Sequence, residues 1–248
     1  MTKRSSSRTA KGIEENPAIG EGLDLQDQEN QKVSSFAVGM GFYKLFWVFF
    51  IGCFLGVILE MVWCVLKNHV VESRTGLIYG PFNLVYGIGA LVITVALHWL
   101  AKKSDLWIFV GGAVIGAAFE YLCSWVQEMM FGTVSWEYSA MLFNLNGRIN
   151  LLYSVFWGIL ALLWVKVLYP RMSDLIEKIP NKVGRPLTWF LLVFMVFNTV
   201  MSGLAVYRMS QRYEGIPAHG PVAEYFDRHY PDERMDIIYP NMNFVDKP

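Results

Sequence analysis

Glu60 closes the run Gly52-x-x-x-Gly56-x-x-x-Glu60 and Glu120 closes Gly112-x-x-x-Gly116-x-x-x-Glu120, at a constant offset of 60 residues. Both runs are otherwise apolar, and an ionisable group near mid-bilayer costs about 2.5–3.5 kcal/mol on insertion scales. Residues four apart advance about 40° around a helix, so each carboxyl shares a face with its two glycines. Amides and hydroxyls that could reach these carboxyls come from Asn83 and Tyr86 in the second apolar run and from Asn144, Asn150 and Tyr153 around the fourth. Such a set supports two chemistries. Two near carboxylates in low dielectric can share a proton, and its gain or loss can couple to movement of a solute or ion. The same groups can instead be hydrogen-bonded clamps that hold helical hairpins together.

Other chemistries lack their residues. The chain contains no GxxxxGK[ST], no GxSxG and no HExxH, which leaves an on-chain ATPase, a serine hydrolase and a zincin unsupported. Cys53, Cys64 and Cys123 lie inside apolar runs without CxxC spacing, and His69, His98, His219 and His229 have no metal-ligand spacing. Gly80-Pro81 reads as the opening of a helix, where proline loses no helical hydrogen bond. The expectation is a protein that is not an enzyme and that carries neither metal nor cofactor.

The elements that must position the glutamates follow from composition. Hydrophobic residues make up 54% and charged residues 17% of the chain, with 21 Lys+Arg balancing 21 Asp+Glu, so no basic surplus argues for nucleic acid. Five apolar runs approach or exceed the roughly 20 residues that a helix needs to cross about 30 Å of hydrocarbon. They are about 42–66, 77–100, 106–130, 149–169 and 187–206. The expected fold is an all-α integral membrane protein with five transmembrane helices over residues 42–206. Residues 1–41 read as a disordered polar tail and 207–248 as a polar C-terminal tail. Lys102 and Lys103 after the second run, with Lys166, Arg171, Lys178, Lys182 and Arg185 between the fourth and fifth, place those two connections in the cytoplasm. The N-terminus is then cytoplasmic and the C-terminal tail external, although Arg208 and Arg212 just beyond the fifth run oppose that assignment.

The duplicated GxxxGxxxE motif, with Phe82-Asn83-Leu84 recurring as Phe143-Asn144-Leu145, makes the first four helices two copies of one hairpin. A competing alignment pairs Asn83 to Tyr86 with Asn150 to Tyr153. Two spans per copy imply a pseudo-two-fold axis along the membrane normal, with the fifth helix outside the repeat. Small-xxx-small faces let backbones approach closely, so helices one and three are expected to cross at Gly52, Gly56, Gly112 and Gly116, with Glu60 and Glu120 facing a common interior. Trp136, Tyr138, Trp157 and Trp189 read as interfacial or packing aromatics.

Together, Phe-Leu-Gly56-Val-Ile-Leu-Glu60, Gly80-Pro-Phe-Asn83-Leu-Val-Tyr86-Gly87, Trp136-Glu-Tyr138, Phe143-Asn144-Leu-Asn-Gly147 and Trp157-Gly158 resemble the bacterial family labelled putative ABC-transporter type IV, the CmpB-like permeases. The likeness covers roughly residues 42–210 and implies a multi-pass protein of the bacterial cytoplasmic membrane that acts in transport, with any ATPase on a separate chain. It names no substrate and no catalytic residues. Five spans are few for a complete path, so a homo-oligomer or other membrane subunits are expected. A non-transporting scaffold or sensor acting through helix association is the alternative reading, and an intramembrane enzyme using the glutamates as acid and base is a third.

Overall fold

Residues 35–245 are described by the structure, a computed structural model. Most of the expected N-terminal tail, residues 1–34, and residues 246–248 lie outside the described residues. Helix α1, Phe42–Asn68, is an apolar run of 27 residues, about 40 Å long. It ends at His69, whose left-handed φ of 57° lets its N–H bond the Val65 carbonyl. Helix α3, Asp105–Phe131, matches it in length and stops at Gly132, with φ 64°. Helix α4, Leu151–Glu177, and helix α5, Asn181–Tyr213, are the other two helices among the described residues that are long and apolar enough to cross a membrane.

The second apolar run departs from the expected full span. Helix α2 is only Leu84–Leu97, 14 residues or about 21 Å, and it begins beside the middle of α1, where the Asn83 N–H bonds the Cys53 carbonyl at 3.0 Å. Gly80 at φ 76° and Pro81, which has no N–H, break the helix that hydropathy alone extends back to residue 77. Leu77 to Asn83 instead form irregular backbone inside the bundle. Non-helical backbone at membrane depth is tolerated only where protein supplies its hydrogen bonds. Here α5 does so: the Ile78 N–H reaches Ser202 Oγ at 2.9 Å, the Tyr79 N–H reaches Asn198 Oδ1 at 3.1 Å, and Asn198 Nδ2 donates to the Tyr79 carbonyl at 2.7 Å. The bundle thus has four long helices and a half-helix in place of five equal spans.

The glycine faces also pack differently from expectation. Gly56 faces the Tyr86 ring and Gly52 faces Ala90 and Gly87, while Gly116 faces Trp157 and Gly112 faces Ala161. Each glycine face therefore closes its own hairpin, α1 on α2 and α3 on α4, and does not join helix one to helix three. The partner helices reciprocate: a methyl group at Gly87 would stand 2.7 Å from the Phe49 carbonyl oxygen, and one at Gly158 would stand 2.8 Å from that of Phe109. A short hairpin precedes α4, with β2 (Asn144–Leu145) antiparallel to β3 (Ile149–Asn150); β1 (Thr133–Val134) lies just after α3.

At one end of the bundle, α4 passes through a π-helical turn, Trp164–Leu168. Lys166 there meets Asp105, at the first residue of α3, at 2.8 Å. Further on, Glu177 Oε1 accepts from the fully buried Lys44 ammonium at 2.6 Å, and the Ser173 carbonyl and hydroxyl oxygens accept from the same ammonium. Lys44 belongs to the first turn of α1. The tail of α4 after the π-turn therefore crosses the bundle end from α3 to α1, burying Met172 and Ile176.

At the other end, the residues read as a polar tail fold into a cap. Helices α6 (Pro221–His229) and α7 (Asp232–Ile238) bury Phe226 and Met235 against α5, and β4 (Asn243–Phe244) pairs antiparallel with β1. Arg208, 4% exposed, donates both Nε and Nη2 to Asp227 at 2.8 Å, and Arg212 reaches Asp227 and Asp232. The two arginines that opposed the external assignment are thus partnered inside the cap. Tyr79 and Tyr230 hydroxyls meet at 2.8 Å, and Tyr239 reaches the Gly76 carbonyl at 3.4 Å. Burial pushes the Tyr230 and Tyr239 phenols up to about 12, so both stay neutral at ordinary pH.

Two expectations follow. Gly56→Leu or Gly116→Leu must displace Tyr86 or Trp157, so each should lower thermal stability in detergent by about 1–3 kcal/mol; unchanged melting of both variants removes the glycine faces as hairpin contacts. In the cap, hydrogen bonds from Arg208 and then Arg212 hold the Asp227 carboxyl below the usual carboxylate range. A depressed folded-state pKa contributes stability that is complete above about pH 4 and lost as pH falls through the lowered value. Asp227→Asn should cost about 1–2 kcal/mol at neutral pH, less than for a fully buried pair because the Asp227 side chain is 32% exposed and Arg208 keeps Gln211 and the Ile216 carbonyl. It should also flatten the acid limb of the melting-temperature profile, which a pH series of thermal scans reads.

Candidate intramembrane polar site

Glu120 is 7% exposed and both its oxygens are engaged. Oε2 accepts from the Trp157 indole at 2.9 Å, and Oε1 accepts from the Tyr138 hydroxyl at 2.8 Å. The two donors differ in kind. An indole N–H can only donate, which keeps Oε2 an acceptor, whereas a hydroxyl can donate or accept. Oε1 can therefore take up a proton with Tyr138 reversing its role and no side chain moving. Trp157 lies opposite Gly116, so the glycine that admits the indole ring also brings its N–H to the carboxylate.

Glu60, half-buried on α1, has the Tyr86 hydroxyl within hydrogen-bonding reach and Arg74 within electrostatic range. Tyr86 in turn lies opposite Gly56. In each hairpin the glycine one turn before the glutamate thus admits an aromatic ring whose polar atom meets that glutamate. Tyr86 and Tyr138 each lie within electrostatic range of both Glu60 and Glu120. Tyr153 stacks on Tyr138 with ring centroids 4.8 Å apart and fixes its plane. Arg74, from the connection between α1 and α2, donates Nη2 to Cys64 Sγ at 3.1 Å and to Glu72 at 3.0 Å, and buries an Nε without a hydrogen-bond partner.

The asparagines do not join the carboxyls. Asn83 caps α2 by accepting from the Val85 N–H at 3.0 Å, and Asn150 caps α4 by accepting from the Tyr153 N–H at 3.0 Å. Asn144 braces the hairpin, donating to the Met141 carbonyl at 2.7 Å and accepting from the Gly147 N–H at 3.1 Å. Asn is a preferred N-cap because its short side chain reaches the free amides of the first turn. The polar partners of the glutamates are instead Tyr86, Tyr138 and Trp157. Arg148 locks the neighbouring loop, meeting Glu128 at 2.5 Å and Ser124 at 3.1 Å.

Four long apolar helices, a half-helix packed within them and rows of exposed Val, Leu, Ile and Phe define a multi-pass helical membrane protein. Within that class the chain belongs to the family described as Putative ABC-transporter type IV, whose model matches residues 47–203. The matched segment contains both hairpins, both glutamates and the α5 residues that hold the irregular backbone of Leu77 to Asn83. No curated protein matches the chain, and no solved structure does.

Removing one donor at a time tests the geometry. Trp157→Phe keeps the ring but leaves Oε2 of a buried carboxylate without a partner, at an expected cost of about 1–3 kcal/mol. Tyr138→Phe should cost less, since a protonated Oε1 still leaves Oε2 bonded to Trp157. Thermal unfolding of the two variants in one detergent checks the order; equal, negligible losses remove the pair as the anchors of Glu120.

Proposed function

We propose that this protein is a non-enzymatic permease component whose paired hairpins carry a proton or cation past Glu60 and Glu120, coupled to movement of a solute. The observation that carries the reading is the arrangement of two membrane-embedded carboxyls, each against an aromatic donor admitted by a glycine of its own hairpin. Membership in a family described as an ABC transporter supports a transport role. Matching contacts of Gly52, Gly56 and Gly87 with those of Gly112, Gly116 and Gly158 support reading the hairpins as duplicated units. On this reading the second copy is equivalent through Tyr86-Gly87 and Trp157-Gly158. The basic end, with the α4 to α5 connection, faces the cytoplasm, and any ATPase and further membrane subunits are separate chains.

One feature favours the scaffold reading at a single position. Glu120 has both oxygens hydrogen-bonded, as a structural clamp would. Glu-to-Gln substitution separates the two roles, because it preserves shape while removing the titratable charge. Expected for Glu60→Gln, Glu120→Gln and the double variant is near-normal expression and melting, with proton flux into acid-jump proteoliposomes reduced at least about tenfold. The double variant should lose no more than the worse single one if the carboxyls act as a unit. Wild-type flux in all three variants eliminates the transport site, and collapse of stability with intact flux in the remaining folded protein assigns the glutamates to the scaffold.

A further inference from the structure

The end of the bundle crossed by the α4 tail has a charge that its own packing does not use. Among the described residues it holds eight Lys and Arg against three acids, whereas the other end holds seven against nine, leaving aside Glu60 and Glu120. Asp105 pairs with Lys166, and Glu177 pairs with buried Lys44. Arg171, Leu175 and Lys178 are exposed and fall on one face of the α4 tail, with spacings of four, three and seven residues, turned about 110° from the face that buries Met172 and Ile176. Leu175 is 64% exposed between those two cations. Lys182 and Arg185, also exposed, continue the surface onto the first turns of α5.

An exposed leucine among cations, on a helix that crosses the end of a membrane bundle, is the pattern of an element lying at the headgroup level. Trp99, Trp107 and Trp189, exposed at the same end, mark that level independently, since indoles concentrate at the membrane interface. We propose that the α4 tail and the first turns of α5 form a binding surface for the phosphate groups of anionic phospholipids. Arg171, Lys178, Lys182 and Arg185 contact the headgroups and Leu175 the upper acyl chains. Because the α4 tail also holds Lys44, lipid bound there tightens the α1 to α4 contact and stabilises the whole bundle. This surface lies at the opposite end from the C-terminal cap and does not depend on the transport reading.

The full chain in a neutral detergent, titrated with short-chain phosphatidylglycerol, short-chain phosphatidylcholine or inorganic phosphate, tests the proposal through its melting temperature. Phosphatidylglycerol should raise melting at the lowest concentration, and high salt should abolish the rise. Each cation near an anionic surface contributes roughly a fivefold effect on binding. Arg171→Gln with Lys178→Gln, and Lys182→Gln with Arg185→Gln, should each move the phosphatidylglycerol midpoint at least about tenfold. A control pair at the opposite end, Lys67→Gln with Arg228→Gln, should leave it unmoved. Equal midpoints in all variants overturn the proposal, as does phosphatidylcholine acting as well as phosphatidylglycerol. Inorganic phosphate reproducing the rise assigns a soluble-anion site instead, and salt resistance of the wild-type effect, which needs no variant, also overturns it.

Discussion

Hydrocarbon cannot hydrogen-bond a peptide group, and this constraint falls hardest on Leu77 to Asn83. A helix would satisfy that backbone by itself, but Gly80-Pro81 forbids one. The stretch is held instead by Asn198 and Ser202 of α5, both buried, and by the Cys53 carbonyl of α1. The rest of the interior follows from that arrangement. Because α2 starts at mid-depth, its Tyr86 arrives level with Gly56 and Glu60, and its Gly87 can sit against the backbone of Phe49. A full-length second helix would have carried a different residue to that depth. The fifth helix, outside the proposed repeat, is the one that makes the irregular segment admissible.

The two carboxyls show how glycine and glutamate act as one device. A glycine one turn away on the same face opens space for a ring, and the ring brings a polar atom that the apolar helix cannot provide. Tyr86 and Trp157 do this in the two hairpins with different chemistry. A phenol can donate or accept, whereas an indole only donates. Glu60 and Glu120 are therefore not equivalent in how they tolerate a proton: Tyr86 can follow a change at Glu60, while Trp157 holds one oxygen of Glu120 in a single role and leaves Tyr138 to follow the other.

Much of this was legible in the residues. Four of the five apolar runs located the long helices, the second overran a half-helix, and the repeated Gly-x-x-x-Gly-x-x-x-Glu spacing put each glutamate on a glycine face. What spacing could not supply was partnership across the fold. Tyr138 and Trp157 lie 18 and 37 residues from Glu120 and read as ordinary interfacial aromatics. Asn83 and Asn150 look like buried partners because hydropathy carries helices through them, although asparagine at a helix start favours capping. The glycine faces were assigned to the wrong neighbour for a related reason, since a small-residue stripe says that a backbone comes close without saying which one. The C-terminal residues read as a tail because their ion pairs, Arg208 with Asp227 and Arg212 with Asp232, join positions 19 and 20 residues apart.

The hydrogen bonds that Tyr79 makes to Asn198 span 119 positions of chain. At about 5–20 residues per second, a ribosome needs roughly 6–24 s to go from one partner to the other. Through that interval the first hairpin exists without the α5 groups that satisfy Ile78 and Tyr79. Until α5 is present, the Ile78 and Tyr79 backbone groups need water or another protein as their partner. The last of the long helices to be made is thus the one that completes the backbone of the first hairpin.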